Sequence, residues 1–514
     1  MARNPHTLTR MKSILAIALG LSAPLLLPAG AANEETPPSK PNVIVMLTDD
    51  LGYGDIGCYG AMPEHVRTPN IDQLAAEGVR FTDAHSPSSV CTPSRTSLLT
   101  GDYAWRHPRG STILPGDAPL GITPGTLTLP AMFKSQGYAT GFVGKWHLGL
   151  GEVDENNKAR GKIDWNGEIK PGPLELGFDE AFFIPATGDR TPTVFVRNHR
   201  VDKLDPADPI TVSYKNAVGV TYANNPELAT VLRPVPGHGH NQGLTNGVGR
   251  IGYMMGGKAA LWKDEDIADS LAAETTRFLE KNKDRSFFFY YATHNIHEPR
   301  VPHPRFTGKS GCGTYGDHIL ELDDAVGKLL ADLKRLGLDR NTLLVFSSDN
   351  GGCSWLGYDY GKGADLHGHR VNGALRGEKG SLFEGGTRVP FIVRWPGGVP
   401  AGKVSTALIS QTDLFASFAG LLGTNLPESA ARDSISLLSA LLGKSTDGRT
   451  ELLEHLYGGP RCALRMGNWK FINGQLYDLS ADPGEAHDLA KDQPERAKTM
   501  KGHLDELIRS PRTR

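Results

Sequence analysis

Short apolar runs that end abruptly in polar residues recur along the chain. Val43–Leu47 in "PNVIVMLTDD" runs into Asp49 and Asp50, and "YATGFVGKWH" runs through Val143 to Lys145 and His147. Phe287–Tyr291 in "RSFFFYYATHNIH" leads to His294 and His297, and Leu343–Phe346 in "NTLLVFSSDNGG" leads to Asp349 and Asn350. Runs this short, with no polar alternation, predict strands buried on both faces. Between them, apolar positions take helical spacing. "DHILELDDAVGKLLADLKRLG" places Ile319, Leu322, Val326, Leu329, Leu330 and Leu333 on one stripe. "DEDIADSLAAETTRFLEKNK" is a further helix, and "TPNIDQLAAEG" has Pro69 inside a start and Gly78 past an end. Strands alternating with amphipathic helices predict an α/β sandwich with a mostly parallel central sheet. Ligands bind beyond the carboxyl ends of such strands, so all four polar clusters fall on one rim.

Two regions break this pattern. Residues 151–262 carry little periodicity and read as long loops over the rim. Beyond residue 403, Asn473-Gly474 between two apolar runs signals a hairpin, and a terminal helix, Glu495–Ile508, follows. The reading is a catalytic α/β domain over 41–402 and a small C-terminal α+β subdomain, built on an antiparallel sheet, over 403–514.

Ahead of the first strand, Arg3, Arg10 and Lys12 precede the apolar run Ile14–Leu27, and Ala29-Gly30-Ala31 supplies small residues for cleavage. Gly20, Ser22 and Pro24 interrupt that run, which falls short of the about 20 residues a membrane span needs. Residues 1–31 therefore read as a signal peptide, giving a secreted or periplasmic protein with no stable membrane insertion after cleavage. With 55 basic and 57 acidic residues among 514, the balance argues against a nucleic-acid partner. Five cysteines, Cys58, Cys91, Cys312, Cys353 and Cys462, are few for a disulfide scaffold, and an odd count leaves one unpaired in an exported chain. Any one of them is otherwise a small buried hydrophobe.

The rim residues carry chemistry as a set. Asp49, Asp50, Asp349 and Asn350 are hard oxygen donors suited to Ca²⁺ or Mg²⁺ rather than Zn²⁺, and an exported protein meets abundant calcium. Each alone is as readily a turn or helix cap. In "SPSSVCTPSRTSLLTGDY", Pro93 fits a first helical turn and Gly101 a C-cap, which puts Cys91 at a helix N-terminus, where N–H groups and the dipole favour anions. Arg95 lies one turn on, along the same face. A divalent cation with Arg95, Lys145 and Lys379 suits a tetrahedral oxyanion such as sulfate or phosphate. His147 and His297 have the proton affinity for acid–base work. Taken singly, Lys145 and His147 are ordinary surface groups.

"CTPSRTSLLTG" resembles the C-x-P-S-R signature of the type I sulfatases, the arylsulfatase-like family. "LTDDLGYGD" and "FSSDNGG" resemble that family's metal segments, "GYATGFVGKWHLG" its Lys/His segment and "LRGEKGSLFEGGTRVPFIVRWPG" its lysine-bearing loop. "YATHNIHEPRVP" departs from the familiar Pro-His-x-Pro pattern; alignment on Pro299 makes His297 the counterpart and leaves His294 as an added polar group that contacts substrate. The motifs span about residues 41 to 400 in the family's order, and "QLYDLSADPGEAHDLA" is similar to its C-terminal segment.

The resemblance implies an alkaline phosphatase-like fold and a sulfuric ester hydrolase acting on sulfated small molecules or glycans. It implies Cys91 oxidised to Cα-formylglycine by a maturation enzyme, with its hydrate attacking sulfur through a covalent sulfo-enzyme intermediate. One Ca²⁺ is then held by Asp49, Asp50, Asp349, Asn350 and a diol oxygen of residue 91. Lys145, Lys379 and Arg95 neutralise charge, His297 protonates the departing alcohol, and His147 takes a proton from the second hydroxyl. Lys145, Lys379 and His297 then touch substrate; His294, outside the family pattern, is expected to contact it as well. "ATGDRTP", "GHGHN" and "DLHGHR" add polar groups for sugar hydroxyls, although His238, His240, His367 and His369 also read as exposed loop.

Two other functions fit the same sequence. A phosphoester or phosphonate hydrolase of the same superfamily usually presents Ser or Thr with two zinc ions, though some phosphonate hydrolases also use formylglycine. Lysines standing where extra cation charge is wanted, and a metal set without histidine, favour sulfate. A catalytically inactive protein that binds sulfated glycans is the other, and here every catalytic residue type is retained.

Overall fold

A computed structural model describes residues 40–107, 109–154, 160–228, 234–237, 239–355 and 357–514. The predicted signal peptide and His238 lie outside the described residues. Strands β1 (Asn42–Thr48), β2 (Val79–Phe81), β3 (Ala139–Lys145), β4 (Glu180–Ile184), β5 (Val196–Arg197), β6 (Arg200–Val201), β7 (Phe287–Ala292), β8 (Thr342–Ser348), β9 (Phe391–Arg394) and β10 (Lys403–Ser405) make one sheet. Its order is β10-β2-β9-β8-β1-β7-β3-β4-β5-β6. The five central strands, β8, β1, β7, β3 and β4, are parallel.

Alternate residues of β1 feed two separate cores. Val43, Val45 and Leu47 pack with α2 (Cys91–Thr100), α3 (Leu129–Ser135) and α6 (Leu414–Leu422). Ile44 and Met46 face α1 (Pro69–Ala76), α4 (Ile267–Asn282) and α5 (Gly313–Arg335). This double coverage is why the strand runs carry no polar positions. Each fully buried aliphatic side chain contributes about 1.5–3 kcal/mol before entropy is counted.

Residues 151–262 are not only loops. They contain β4, which extends the parallel sheet, and the antiparallel β5 and β6. They also contain a hairpin of Gly243–Thr245 and Val248–Arg250. These strands have two to five residues, too few for a visible period. Residues 403–405 pair with β2 at the far edge of the large sheet, and α6 buries Leu414, Phe415 and Phe418 in its core.

The antiparallel four-stranded sheet starts at Glu451, with strands Glu451–His455, Cys462–Met466, Trp469–Ile472 and Gln475–Asp478. Asn473 (φ 51°) and Gly474 (φ 88°) make its last turn, a left-handed pair that Asn-Gly adopts readily. Helix α7 (Pro494–Arg509) covers that sheet through Met500, Leu504 and Leu507. The first strand of this sheet also reaches the start of α2, because the Ser89 N–H donates to the His455 carbonyl at 3.0 Å, two residues before Cys91. None of the five cysteines is joined in a disulfide, and no helix among the described residues is long and apolar enough to cross a membrane.

Candidate active site

Strands β1 and β8 are neighbours with Thr48 opposite Ser348, so the residues that follow, Asp49-Asp50 and Asp349-Asn350, meet at one point. Asp49 is clasped by the loop after β7: its N–H donates to the Asn295 carbonyl at 3.0 Å, and its carbonyl accepts from Ile296 at 2.6 Å. Asp50 turns out of the strand in the left-handed region (φ 63°), a conformation Asp tolerates better than most residues. Its N–H donates to Asp349 Oδ1 at 3.3 Å, and its Oδ1 accepts from Asn350 Nδ2 at 2.9 Å.

Two oxygens of this cluster, Asp49 Oδ1 and Asn350 Oδ1, are buried with no hydrogen-bond donor. Unpaired buried acceptors are costly, and a hard cation satisfies both. Ligand atoms of Asp49, Asp50 and His297 also lie within 4.8 Å of one another. Burial pushes the Asp49 carboxyl up to about 7, with Asp349 and Asp50 adding to the rise and Lys145 opposing it. Asp50 is equally buried, yet Lys379 and Lys145 hold it below the usual carboxylate range. Three carboxylates and an amide oxygen therefore fit a divalent, oxygen-preferring ion.

Cations enclose the cluster. Lys145 Nζ donates to Asp49 Oδ2 at 2.6 Å and Lys379 Nζ to Asp50 Oδ2 at 2.8 Å. Gly144 delivers Lys145: at φ 120°, its Cα is so close to β7 that an added Cβ would sit 1.7 Å from the Ala292 carbonyl oxygen. Arg95 is fully buried, and its guanidinium is spent on the scaffold. Nε and Nη2 donate to Asp349 Oδ2 at 3.0 and 2.7 Å, and Nη1 donates to the Lys145 carbonyl at 3.0 Å.

Cys91 opens α2 and is 2% exposed. Arg95, Arg190 and Lys379 all lie within electrostatic reach of its sulfur. Ser88 and Ser94 fix the entry to the helix, since Ser94 Oγ donates to the Ser88 carbonyl at 2.7 Å.

The histidines differ in their fixation. His297 Nδ1 lies 2.6 Å from the Glu298 carbonyl, which makes Nδ1 the protonated nitrogen and leaves Nε2 free, 3.9 Å from Asp50 Oδ2. Burial, then Lys379 and Lys145, drive its proton affinity well below the ordinary histidine range. His147, left-handed at φ 52°, has Nε2 2.8 Å from the Leu114 carbonyl and a buried Nδ1 without a partner. Burial, Lys145 and Arg190 lower it likewise. His294 is 3% exposed, packs edge-on against His318 and has an unpartnered Nδ1. Burial and the charges of Lys145 and Arg250 lower its pKa to about 3.

Two segments read from the sequence as polar groups for sugar hydroxyls also meet on this rim, in a pairing that sequence reasoning missed. Asp189 accepts from His240 Nε2 at 3.1 Å and from Arg190 Nη1 at 3.0 Å. Arg190, His240 and His297 offset its burial and hold its carboxyl well below the usual range. Gly188 lies against the His294 ring, which places this group beside the histidines. The segments "ATGDRTP" and "GHGHN" were visible as polar loops, but nothing in their spacing joins Asp189 to His240. Of the other loop histidines, His369 binds Asp55 Oδ1 at 2.8 Å and His367 is exposed.

The family model for Sulfatase matches residues 41–424, and a model for the N-sulphoglucosamine sulphohydrolase C-terminal region matches 377–510. An N-acetylgalactosamine-6-O-sulfatase of Bacteroides thetaiotaomicron is 47% identical over 497 residues, covering 92% of this chain and 94% of that protein. Human arylsulfatase A is 32% identical over 490 residues, covering 87% of this chain and 83% of its own. A solved Bacteroides thetaiotaomicron 6S-sulfatase, from work on the metabolism of multiple glycosaminoglycans, matches with TM-score 0.87 at 46% identity, over 92% of this chain and all of that one. The chain belongs to the sulfatase family, and it is a sulfuric ester hydrolase with the alkaline phosphatase-like fold.

Proposed function

We propose that this chain is an exported glycan sulfatase that removes 6-O-sulfate from N-acetylgalactosamine, the chemistry named for its 47% identical relative. The observation that carries the reading is Cys91 at the start of α2, within electrostatic reach of three cations, two of which, Arg95 and Lys379, also bind Asp349 and Asp50. Oxidised to formylglycine and hydrated, residue 91 supplies one hydroxyl to attack sulfur and a second to expel sulfate. Asp49, Asp50, Asp349 and Asn350 would hold Ca²⁺, which would supply Lewis-acid chemistry at this point.

The remaining roles belong to side chains. Lys145 and Lys379 meet the sulfate oxygens and stabilise charge as the S–O bond breaks. Arg95 fixes Asp349 and the end of β3, so it orients rather than binds. His297 Nε2 takes up a proton once the anionic ester is seated beside it, and passes it to the leaving oxygen. His147 Nδ1 accepts the proton of the second hydroxyl. Asp189, Arg190, His240 and His294 offer paired donors and acceptors to the sugar hydroxyls.

Production alongside a formylglycine-generating enzyme, with sulfate release from N-acetylgalactosamine 6-O-sulfate as the readout, tests the proposal. The mature peptide should carry an aldehyde at residue 91, and Cys91→Ala should abolish turnover. Full activity in that variant, or a thiol in fully active protein, overturns it.

A further inference from the structure

Trp355, on the loop after β8, is 55% exposed, more than any other large apolar side chain among the described residues. The loop that carries it is tied down on both sides. The Cys353 carbonyl accepts from Arg300 Nη2 at 3.1 Å, and the Ser354 N–H and Oγ donate to Glu378 at 2.7 and 2.6 Å. The Gly357 N–H donates to Glu298 Oε2 at 2.6 Å. Glu298 and Glu378 are the chain neighbours of His297 and Lys379, so the loop is anchored to the two segments that carry those groups. The Trp355 carbonyl accepts from Cys353 Sγ at 3.5 Å, and that sulfur lies within reach of the Asp50 and Lys379 charges.

An exposed indole on a loop anchored to the His297 and Lys379 segments is placed to serve as a binding surface. Tyr457, exposed to 42%, has the Arg461 guanidinium 5.1 Å over its ring. Among the described residues, neither a ring nor a guanidinium covers Trp355. We propose that Trp355 is the stacking platform for the sugar adjoining the sulfated one, so that the preferred substrate is an oligosaccharide rather than a free monosaccharide. This rests on the glycan reading above. A pyranose presents an apolar face of C–H bonds and keeps its hydroxyls at the edge. It can therefore cover an indole while its polar groups stay in water, whereas a sulfate group cannot. Continuity with the His297 and Lys379 segments favours substrate over a second copy of the chain.

The test compares the mature full-length enzyme with Trp355→Ala and Trp355→Phe on two substrates. One is N-acetylgalactosamine 6-O-sulfate; the other is a tetrasaccharide with that residue at its non-reducing end. Trp355→Ala should raise KM about tenfold for the tetrasaccharide, leave kcat within twofold and leave the monosaccharide constants unchanged. Trp355→Phe should restore most of the loss. Equal effects on both substrates, or a wild-type enzyme with no preference for the tetrasaccharide, overturn the proposal. So does a loss confined to self-association, read by analytical ultracentrifugation, which would assign Trp355 to a second copy. A wild-type enzyme that hydrolyses an aryl sulfate but neither sugar overturns the glycan reading, and this inference with it.

Discussion

The Lys145 ammonium lies 2.6 Å from Asp49 Oδ2, with 1% of either side chain exposed. It is the nearest counter-charge to a carboxyl that burial has already raised to about 7. Removing one member of a buried pair costs about 3–5 kcal/mol, lessened here because Asp49 can take up a proton. Lys145→Met should therefore lower Tm by several degrees in a chelator, and Ca²⁺ should recover most of the loss by giving Asp49 a new counter-charge. Thermal scans of both proteins in both conditions check this. A gap of the same size with and without Ca²⁺ would remove Asp49 from the metal site.

Arg95 makes three hydrogen bonds with one planar group, two to Asp349 Oδ2 and one to the Lys145 carbonyl. An ammonium cannot span both targets. Arg95→Lys should fold with a stability loss of about 2–4 kcal/mol and a weaker Ca²⁺ affinity, because Asp349 loses its orientation. Calorimetric titration of Ca²⁺ into the chelated variant reads this directly. Unchanged affinity would make Arg95 a packing residue only.

His297 has its Nδ1 fixed on the Glu298 carbonyl, which leaves Nε2 for the leaving group. Loss of a general acid matters most when the departing oxygen is a poor leaving group. His297→Ala should cut kcat on a sugar sulfate by about 10²–10⁴-fold, and far less on a nitrophenyl sulfate, whose phenolate needs little protonation. Equal losses on the two substrates would show that His297 only positions its neighbours.

The metal-type cluster was legible because each half is local: two acids follow one strand and an acid and an amide follow another. Parallel pairing in the Thr48–Ser348 register then brings them together. The double-sided strands and long amphipathic helices were legible for the same reason, since their burial is written in consecutive residues. What Arg95 touches was not. Helical spacing gives its face on α2 but says nothing of Asp349, 254 positions away. The Asp189–His240 pair was hidden because it depends on Ile251, whose N–H donates to the Asp189 carbonyl at 2.8 Å, and on hairpin strands of three residues. Strand β10 was missed because an edge strand needs little apolar content: its Val404 is 50% exposed.

A last expectation concerns the seam between the C-terminal sheet and the large one. Lys470 Nζ lies 2.8 Å from Glu384 and 2.7 Å from Glu454, with Glu485 at 3.6 Å, and all four side chains are fully buried. Glu384 is held well below the usual carboxylate range because Lys470, His85, Arg465 and Arg388 outweigh its burial. Glu485 is not: burial lifts it from 4.5 to about 7, with Glu384 and Glu454 adding to the rise against Lys470. A carboxyl raised in the folded state binds its proton more tightly there than in the unfolded chain. It therefore favours folding fully below 4.5, and that contribution drains away as pH rises to about 7. His85, also raised, acts with the same sign above 6.5, while Glu384 acts oppositely and only below 4.5. The contribution of Glu485 to stability should thus fall as pH rises from 4.5 through about 7. Glu485→Gln keeps the acceptor for the Glu384 N–H, which now donates to Glu485 Oε2 at 2.7 Å, and imitates the protonated carboxyl at every pH. The variant should gain about 1–3 kcal/mol over wild type at the alkaline end, gain little at the acid end, and show a flatter pH profile of Tm. Parallel profiles for the two proteins would mean that Glu485 is already ionised in the seam, with Lys470 as sufficient partner.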